Sequence, residues 1–114
     1  MYQSTTVIGR LGKDPEMRFT PSGQAVTSFS VATDRSYTDK DGNRAKETTW
    51  FKVAAWGKLA EICNTYLKKG SLVLVEGRIS EPKVWTAQDG THKASLDLTA
   101  NTVKFLDSKT EEEK

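Results

Sequence analysis

Residues 48–79 read TTWFKVAAW, then GKLAEICNTYLKKG, then SLVLVEGRI. The first and last pieces alternate with a period of two, which is typical of β-strands. The middle piece repeats its apolar residues every three or four positions, which predicts a helix with one apolar stripe. The stripe consists of Leu59, Ile62, Cys63, Tyr66 and Leu67. We expect Lys68 and Lys69 in the last turn of this helix, where cations complement its dipole, and Gly70 at its end.

The two faces of the first strand differ in character. One face carries Phe51, Val53 and Ala55, and the other carries Trp50, Lys52, Ala54 and Trp56. The first set is an ordinary core face, whereas the second places a lysine between two tryptophans. Burial of an unpaired lysine is unfavourable, so we expect the second face to be exposed to water. Flat aromatic side chains interleaved with cations suit a ligand made of planar bases on an anionic backbone. The alternative is that both tryptophans belong to the core, since most tryptophans are largely buried.

Length and composition predict a single water-soluble globular domain. The chain has 114 residues, 36% of them hydrophobic, and a mean hydropathy of −0.58. No apolar run approaches membrane-spanning length, and the first residues lack the pattern of a secretory signal. The single cysteine, Cys63, is expected to be a reduced, packed thiol in an intracellular protein. The net charge is +2, and residues 107–114 contribute −2, so residues 1–106 form a mildly basic body of +4. This charge is compatible with a nucleic-acid partner.

The rest of the chain reads as strands and turns. We expect a first strand at residues 5–11, a second at 24–33 and a last one through 96–105. Asp41-Gly42 and Asp89-Gly90 are strong hairpin signals, and Pro21-Ser22-Gly23 predicts a turn. The order is therefore β-β-β-α-β-β. We predict an all-β fold: a five-stranded OB-fold barrel with one helix between strands 3 and 4 and two long β-hairpins, after strands 2 and 4.

Four blocks of the sequence resemble the bacterial single-stranded-DNA-binding protein (SSB) family. They are VIGRLGKDPEMRFTPSG at 7–23, FSVAT at 29–33, WFKVAAWGKLAE at 50–61 and YLKKGSLVLVEGR at 66–78. The resemblance extends over about residues 3–106. It implies an OB-fold that binds single-stranded DNA and assembles into homotetramers.

The resemblance also implies site residues. The base-stacking aromatics of the family fall on Tyr37, Trp50, Trp56 and Trp85, and its phosphate-contacting cations fall on Arg18, Lys40, Lys52, Lys58 and Lys69. The family often has Trp at position 37 and Phe at position 56, and both changes preserve stacking. It usually has several basic residues where this chain has Ser80-Glu81-Pro82-Lys83-Val84. The alternative for Tyr37 and Trp85 is cross-strand packing that stabilises their hairpins, and for each cation it is a solvated surface position.

The functional hypothesis is sequence-independent binding and protection of single-stranded DNA in replication, repair and recombination. The alternative is a primosome-type accessory OB protein that acts mainly through protein–protein contacts. No constellation of residues indicates an enzyme, a cofactor or a metal site, and His92 has no second ligand at useful spacing. We expect a cytoplasmic, nucleoid-associated protein.

The last residues form a separate segment in this interpretation. Residues 1–106 are predicted to be the OB-fold single-stranded-DNA-binding domain, and 107–114 a short disordered acidic tail. In the family, an acidic tip with apolar terminal residues recruits replication and repair enzymes. Residues 111–114 read EEEK and lack an apolar anchor. We therefore expect weak recruitment of those enzymes, or none.

Overall fold

The computed structural model describes residues 1–107. Its elements are β1 (Thr5–Leu11), β2 (Glu16–Phe19), β3 (Ala25–Thr38), β4 (Arg44–Trp56), α1 (Lys58–Tyr66), β5 (Leu72–Ile79), β6 (Lys83–Thr86) and β7 (His92–Phe105). The five predicted strands correspond to β1, β3, β4, β5 and β7, and the helix lies between the third and the fourth of them. Two short strands accompany them: β2 pairs with β3, and β6 pairs with β7. The predicted fold class is confirmed.

The five long strands close into a barrel. Their order is β1-β5-β7-β4-β3, and β3 returns to β1 through the pairs Arg10↔Ala32 and Leu11↔Val31. All neighbours are antiparallel except β4 and β7, which run parallel. At the closure the backbones of β1 and β3 lie very close together. A Cβ added to Gly9 would lie only 2.1 Å from the carbonyl oxygen of Ala32. Only glycine permits that approach.

The core fills the barrel from alternate positions of every long strand. Its buried members include Val7, Leu11, Phe29, Val31, Val53, Ala55, Val73, Val75, Leu98 and Ala100. The helix covers this cluster with Cys63, and Leu67, directly after the helix, packs against the cluster as well. It is also fixed to β3, because the buried hydroxyl of Thr27 donates to the carbonyl oxygen of Ala60 at 2.7 Å. The apolar residues that alternate along the sequence therefore meet in one interior.

The helix departs from its predicted stripe and end. Ala60 and Cys63 are its buried residues, whereas Ile62 and Tyr66 are 37% and 67% exposed. The ring of Tyr66 contacts that of Phe105 at 5.9 Å between centroids. The prediction placed the whole stripe against the core, but a helix of nine residues covers the barrel with one narrow side only.

The helix also ends before Lys68, Lys69 and Gly70, so the predicted dipole contacts in its last turn are wrong. Leu67 already has an extended backbone (φ −91°, ψ 151°). The loop that follows bonds elsewhere: Lys68 N–H donates to Ser71 Oγ at 3.0 Å, and Gly70 N–H donates to the Leu11 carbonyl oxygen at 2.9 Å. These bonds to the loop and to β1 take the place of further helical bonds.

The described chain ends next to β5. Leu106 N–H donates to the Leu72 carbonyl oxygen at 2.9 Å, and the Asp107 carboxylate accepts from Leu72 N–H at 3.1 Å and lies 3.6 Å from Arg10. Asp107, the first residue of the predicted tail, thus contacts the barrel. Residues 108–114 lie outside the described residues, so the disordered tail stays a prediction. In the described part of the chain, no helix has the length and apolarity needed to cross a membrane.

Candidate nucleic-acid interface

Strand β4 presents the two faces that its alternation predicts. Val53 and Ala55 point into the barrel and are almost completely buried, whereas Trp50 and Trp56 are 51% and 41% exposed on the outside. Lys52, between them, is exposed as well. The prediction of an open face is confirmed, and the alternative that the two tryptophans are core residues is wrong.

A groove of about 530 Å³ runs across the outside of β2, β3, β4 and β7. The register sets Ser30 and Asp97 beside Lys52, and Val26 beside Trp56. Three of the other residues that line the groove on the outer face of the strands are small: Ser28, Ala54 and Thr99. Trp56 and Lys52 therefore rise beside a low floor, which leaves room for a planar group against the indole.

The structure brings Arg18 and Lys52 together with Trp56 along this groove. Arg18 stands on β2 opposite Val26, which itself pairs with Trp56. Lys58 begins the helix two residues after Trp56, beyond Gly57.

The other two predicted cations are presented by loops. Lys40 lies in the turn between β3 and β4, far along the hairpin from the groove. Lys69 lies in the loop before β5, where its backbone N–H donates to Asp14 Oδ1 at 2.8 Å. Asp14 is itself one of the residues that line the groove.

Three basic residues of the described chain form ion pairs, and none of the predicted cations is among them. In the part of the chain that the structure describes, none of Arg18, Lys40, Lys52, Lys58 and Lys69 forms an ion pair. By contrast, Arg10, Arg35 and Lys46 pair with Asp107, Glu47 and Asp34. All five predicted cations are exposed. They are therefore available to an external anion without first losing an internal partner.

The predicted set missed the polar and acidic residues of the groove. Asp14, Glu16 and Asp97 line it together with Lys13, Arg18 and Lys52. The Asp97 carboxylate accepts from Ser95 Oγ at 2.9 Å. These carboxylates weaken the positive potential of the groove. Asp97 could have been found from the sequence, since the alternation of Ser95, Asp97 and Thr99 marks the outer face of the last strand. Glu16 lies in β2, whose four residues are too few for a periodic signal.

Trp85 extends the same face of the sheet. It lies on β6 opposite Lys93 of β7. Along β7 the odd positions from 93 to 99 share one side, and Asp97 pairs with Lys52 on that side. Successive side chains of a strand alternate between its faces, so Trp85 lies on the face that carries Trp50 and Trp56. Its side chain is 45% exposed.

Tyr37 lies on the opposite face. It pairs with Ala45, and the β3–β4 register runs unbroken from Thr38↔Arg44 to Val26↔Trp56. Ala45 has the same parity along β4 as the inward-facing Phe51, not that of Trp50. The loop has three residues, Lys40, Asp41 and Gly42, and is closed by the bond from Asp39 N–H to the Asn43 carbonyl oxygen. A two-residue Asp41-Gly42 loop would instead pair Tyr37 with Lys46 and place it on the face of Trp50. The sequence alone therefore does not decide the face of Tyr37.

Tyr37 also has a partner of its own. The Arg35 guanidinium lies 5.2 Å from the centre of its ring, and Arg35 donates to Glu47 Oε1 at 3.2 and 3.3 Å. This cluster supports the alternative in which Tyr37 stabilises its hairpin. The ring is still 41% exposed, so a role in stacking stays a prediction.

The remaining ionisable groups of note are outside the groove. Thr91 donates through its hydroxyl and its backbone N–H to Asp89, which lowers the pKa of that carboxyl group in the β6–β7 turn. Burial raises the pKa of the Cys63 thiol to about 11. Among residues 1–107, no group of three His, Cys, Asp or Glu side chains is arranged to hold a metal ion.

The protein is thus a closed five-stranded barrel with exposed tryptophans on one outer face, where Arg18 and Lys52 form no ion pair within the described residues. Residues 2–106 match the single-strand binding protein family. The chain belongs to that family, and the resemblance noted in the sequence is confirmed.

Two bacterial proteins illustrate the sequence similarity. The chain is 46% identical over 105 residues to a single-stranded DNA-binding protein of Neisseria meningitidis serogroup B, covering 92% of this chain and 60% of that protein. It is 44% identical over 100 residues to one of Xanthomonas axonopodis pv. citri, covering 88% and 55%. The chain thus spans about 60% of the length of these relatives.

Solved structures agree on the fold. A Plasmodium falciparum SSB in complex with single-stranded DNA superposes with a TM-score of 0.78 at 23% identity, covering 94% of this chain and 97% of that one. A deletion mutant of the single-stranded DNA-binding protein from Thermus aquaticus gives 0.73 at 30% identity, covering 92% and 50%. The barrel is therefore the fold of these SSB structures.

Proposed function

We propose that the protein binds and protects single-stranded DNA without regard to sequence, in replication, repair and recombination. The observation that carries this proposal is the outer face of β4, where the exposed and unpaired Lys52 stands between two half-exposed tryptophans. Family membership and the names of the relatives support it. On this proposal the protein is a binding protein and not an enzyme, and it acts in the cytoplasm at the nucleoid.

Stacking supplies the part of the affinity that does not depend on sequence. Every base has a π-face, so an indole on a low floor accepts any of the four. Each stacked base contributes about 1–3 kcal/mol, a range established for single-strand-binding OB-folds themselves. Trp50, Trp56 and Trp85 share one face and form the stacking platform in this proposal. Tyr37 contacts a different segment of the strand, because it lies on the other side of the hairpin.

The cations supply the salt-dependent part. Arg18 and Lys52 contact phosphates inside the groove, and Lys58 and Lys69 contact them beside it. Lys40 reaches phosphates at the tip of the hairpin. Each contact releases counterions from the strand, so the affinity falls as salt rises.

Tryptophan fluorescence during titration with oligo-dT tests the proposal. Stacked bases should quench the emission strongly at low salt, and mixed-sequence strands should do the same. Duplex DNA of equal length should quench little, because its bases are not accessible. Heparin is the control for charge alone: it should bind the cations without comparable quenching. Unchanged emission with every single strand would refute the proposal and favour the accessory protein that acts through protein–protein contacts.

We also propose a homotetramer, as is typical of the family. The outer side of β1 offers Ile8, which is 53% exposed and pairs with Leu74 of β5. Two apolar side chains side by side on the barrel surface suit an interface between copies. Light scattering at micromolar concentration should give four times the mass of one chain. A stable monomer would contradict this part, and Ile8→Glu should weaken the assembly if β1 forms the interface.

A further inference from the structure

The indole of Trp50 rests against the backbone of Gly12, which directly follows β1. A Cβ added to Gly12 would lie 2.7 Å from both Cη2 and Cζ3 of Trp50, at the far edge of its six-membered ring. Gly12 itself is held in place, because its N–H donates to the carbonyl oxygen of Ser30 at 3.2 Å. Carbon atoms pack at about 3.5–4.0 Å. The indole therefore occupies space that any side chain at position 12 would need.

This contact differs from those of the other closely packed glycines. A Cβ on Gly9 or Gly77 would lie 2.1 or 2.0 Å from a backbone carbonyl oxygen of the neighbouring strand. Those two glycines permit strands to approach each other, so their replacement disrupts the barrel. At Gly12 the atoms that a Cβ would meet belong to one side chain only, and its φ lies outside the left-handed region. Alanine is thus compatible with the backbone at position 12 but not with the present position of the indole.

We propose that Gly12 is a positioning residue for base stacking: its lack of a side chain forms the seat that holds the Trp50 indole in its binding orientation. This inference rests on the proposed function and adds a residue that makes no stacking contact itself. The seat fixes one edge of the ring while about half of the side chain remains exposed. A ring that is held before the base arrives loses less conformational freedom on binding. Gly12→Ala should push the indole out of its seat and weaken binding without removing the aromatic group.

The first experiment needs no DNA. Trp56→Phe and Trp85→Phe leave Trp50 as the one tryptophan of the chain, so its emission reports on the seat alone. Gly12→Ala in this background should shift the emission to longer wavelength and increase quenching by acrylamide, with the unfolding midpoint in urea unchanged. Identical emission and quenching with and without the alanine would refute the proposal that Gly12 positions the Trp50 indole.

The second experiment measures oligo-dT affinity in a double-mutant cycle, with Trp56 and Trp85 intact. Gly12→Ala alone should weaken binding by about 3- to 10-fold, which does not exceed the loss caused by removing a stacking aromatic. In a Trp50→Ala background it should cause no further loss, because there is no indole left to displace. Equal losses in both backgrounds would show that Gly12 acts on the strand or the fold rather than through Trp50.

A third variant covers the case in which Gly12→Ala fails to fold. Trp50→Phe removes the outer ring that the new methyl group meets, so Gly12→Ala combined with Trp50→Phe should fold and bind like Trp50→Phe alone. Unfolding of the combined variant would show that the backbone itself requires glycine at position 12, and this would overturn the inference. If the native chain does not bind oligo-dT, the proposed function fails, whereas the emission experiment still decides whether the seat exists.

Discussion

Adjacent residues of β4 lie on opposite faces of the strand and differ strongly in burial. Val53 and Ala55 are 2% and 0% exposed inside the barrel. Lys52 and Trp56, their direct neighbours, stand in an open groove. Aromatic and aliphatic side chains thus stabilise the fold on one face of the strand and remain available to a ligand on the other. Substitutions one position apart should therefore change different measured quantities.

The largest expected effect lies on the inner face. Phe51→Ala should lower the free energy of unfolding by about 2–4 kcal/mol, because Phe51 packs against the core cluster and its loss leaves a cavity. Trp50→Ala, on the outer face, is the matched control and should cost less than about 1 kcal/mol, as surface changes do. Urea unfolding at one fixed protein concentration measures both. Equal destabilisation would mean that Trp50 is part of the packing and that the two faces are not separate.

The next effect lies on the outer face and concerns affinity. Trp56→Ala should weaken oligo-dT binding by about 1–3 kcal/mol, the range for loss of one stacking aromatic, with the unfolding midpoint retained. Tyr37→Ala is the matched comparison, because Tyr37 is just as exposed but lies on the opposite face of the hairpin. For a strand only long enough to cover the groove, Tyr37→Ala should have the smaller effect. A larger loss of affinity from Tyr37→Ala than from Trp56→Ala would indicate that the strand does not bind along the groove.

Much of this comparison could be predicted from the sequence, because alternation is a local property. The period of two in residues 48–56 was enough to assign each side chain of β4 to its face. The five long strands each had an alternating run, whereas β2 and β6 have four residues and give no such signal. The helix end was predicted wrongly because hydrogen bonds to β1 and Ser71 decide it, and those partners are distant in sequence or belong to the loop.

The residue types of the candidate site could be predicted from the sequence, whereas some of the contacts between them could not. Trp56, Lys52 and Arg18 do meet along the groove, but nothing local indicates that Gly12 lies beneath Trp50. That contact joins the end of the first strand to the middle of β4 and exists only once the barrel is closed. The face of Tyr37 was likewise not predictable, since it depends on whether the loop between β3 and β4 has two residues or three.

A third prediction concerns the barrel core and the pH dependence of the free energy of unfolding. Cys63 packs in the core cluster, and its burial raises the pKa of the thiol from 9.0 to about 11. Between these values the unfolded chain loses the thiol proton while the folded chain keeps it, so stability falls as pH rises from about 9 to 11. At pH 10 the loss attributable to this thiol is on the order of 1 kcal/mol. The stability of Cys63→Ala should therefore fall less than that of the native protein over this pH range. Parallel pH profiles for both proteins would show that the thiol is not desolvated in the fold.

The smallest effect concerns two lysines on the same face of β4. Lys52 stands unpaired in the groove, whereas Lys46 lies 3.8 Å from the Asp34 carboxylate on the same outer side. For single strands, each neutralised phosphate contributes about 0.7 to the slope of log affinity against log salt. Lys52→Gln should therefore reduce that slope by about 0.7. Lys46→Gln removes the same charge from the same strand, but Asp34 already offsets it, so the slope should stay almost unchanged. Oligo-dT titrations at several salt concentrations give both slopes. Equal reductions would mean that net charge governs the salt dependence, and that the position of Lys52 between the two tryptophans adds nothing specific to phosphate binding.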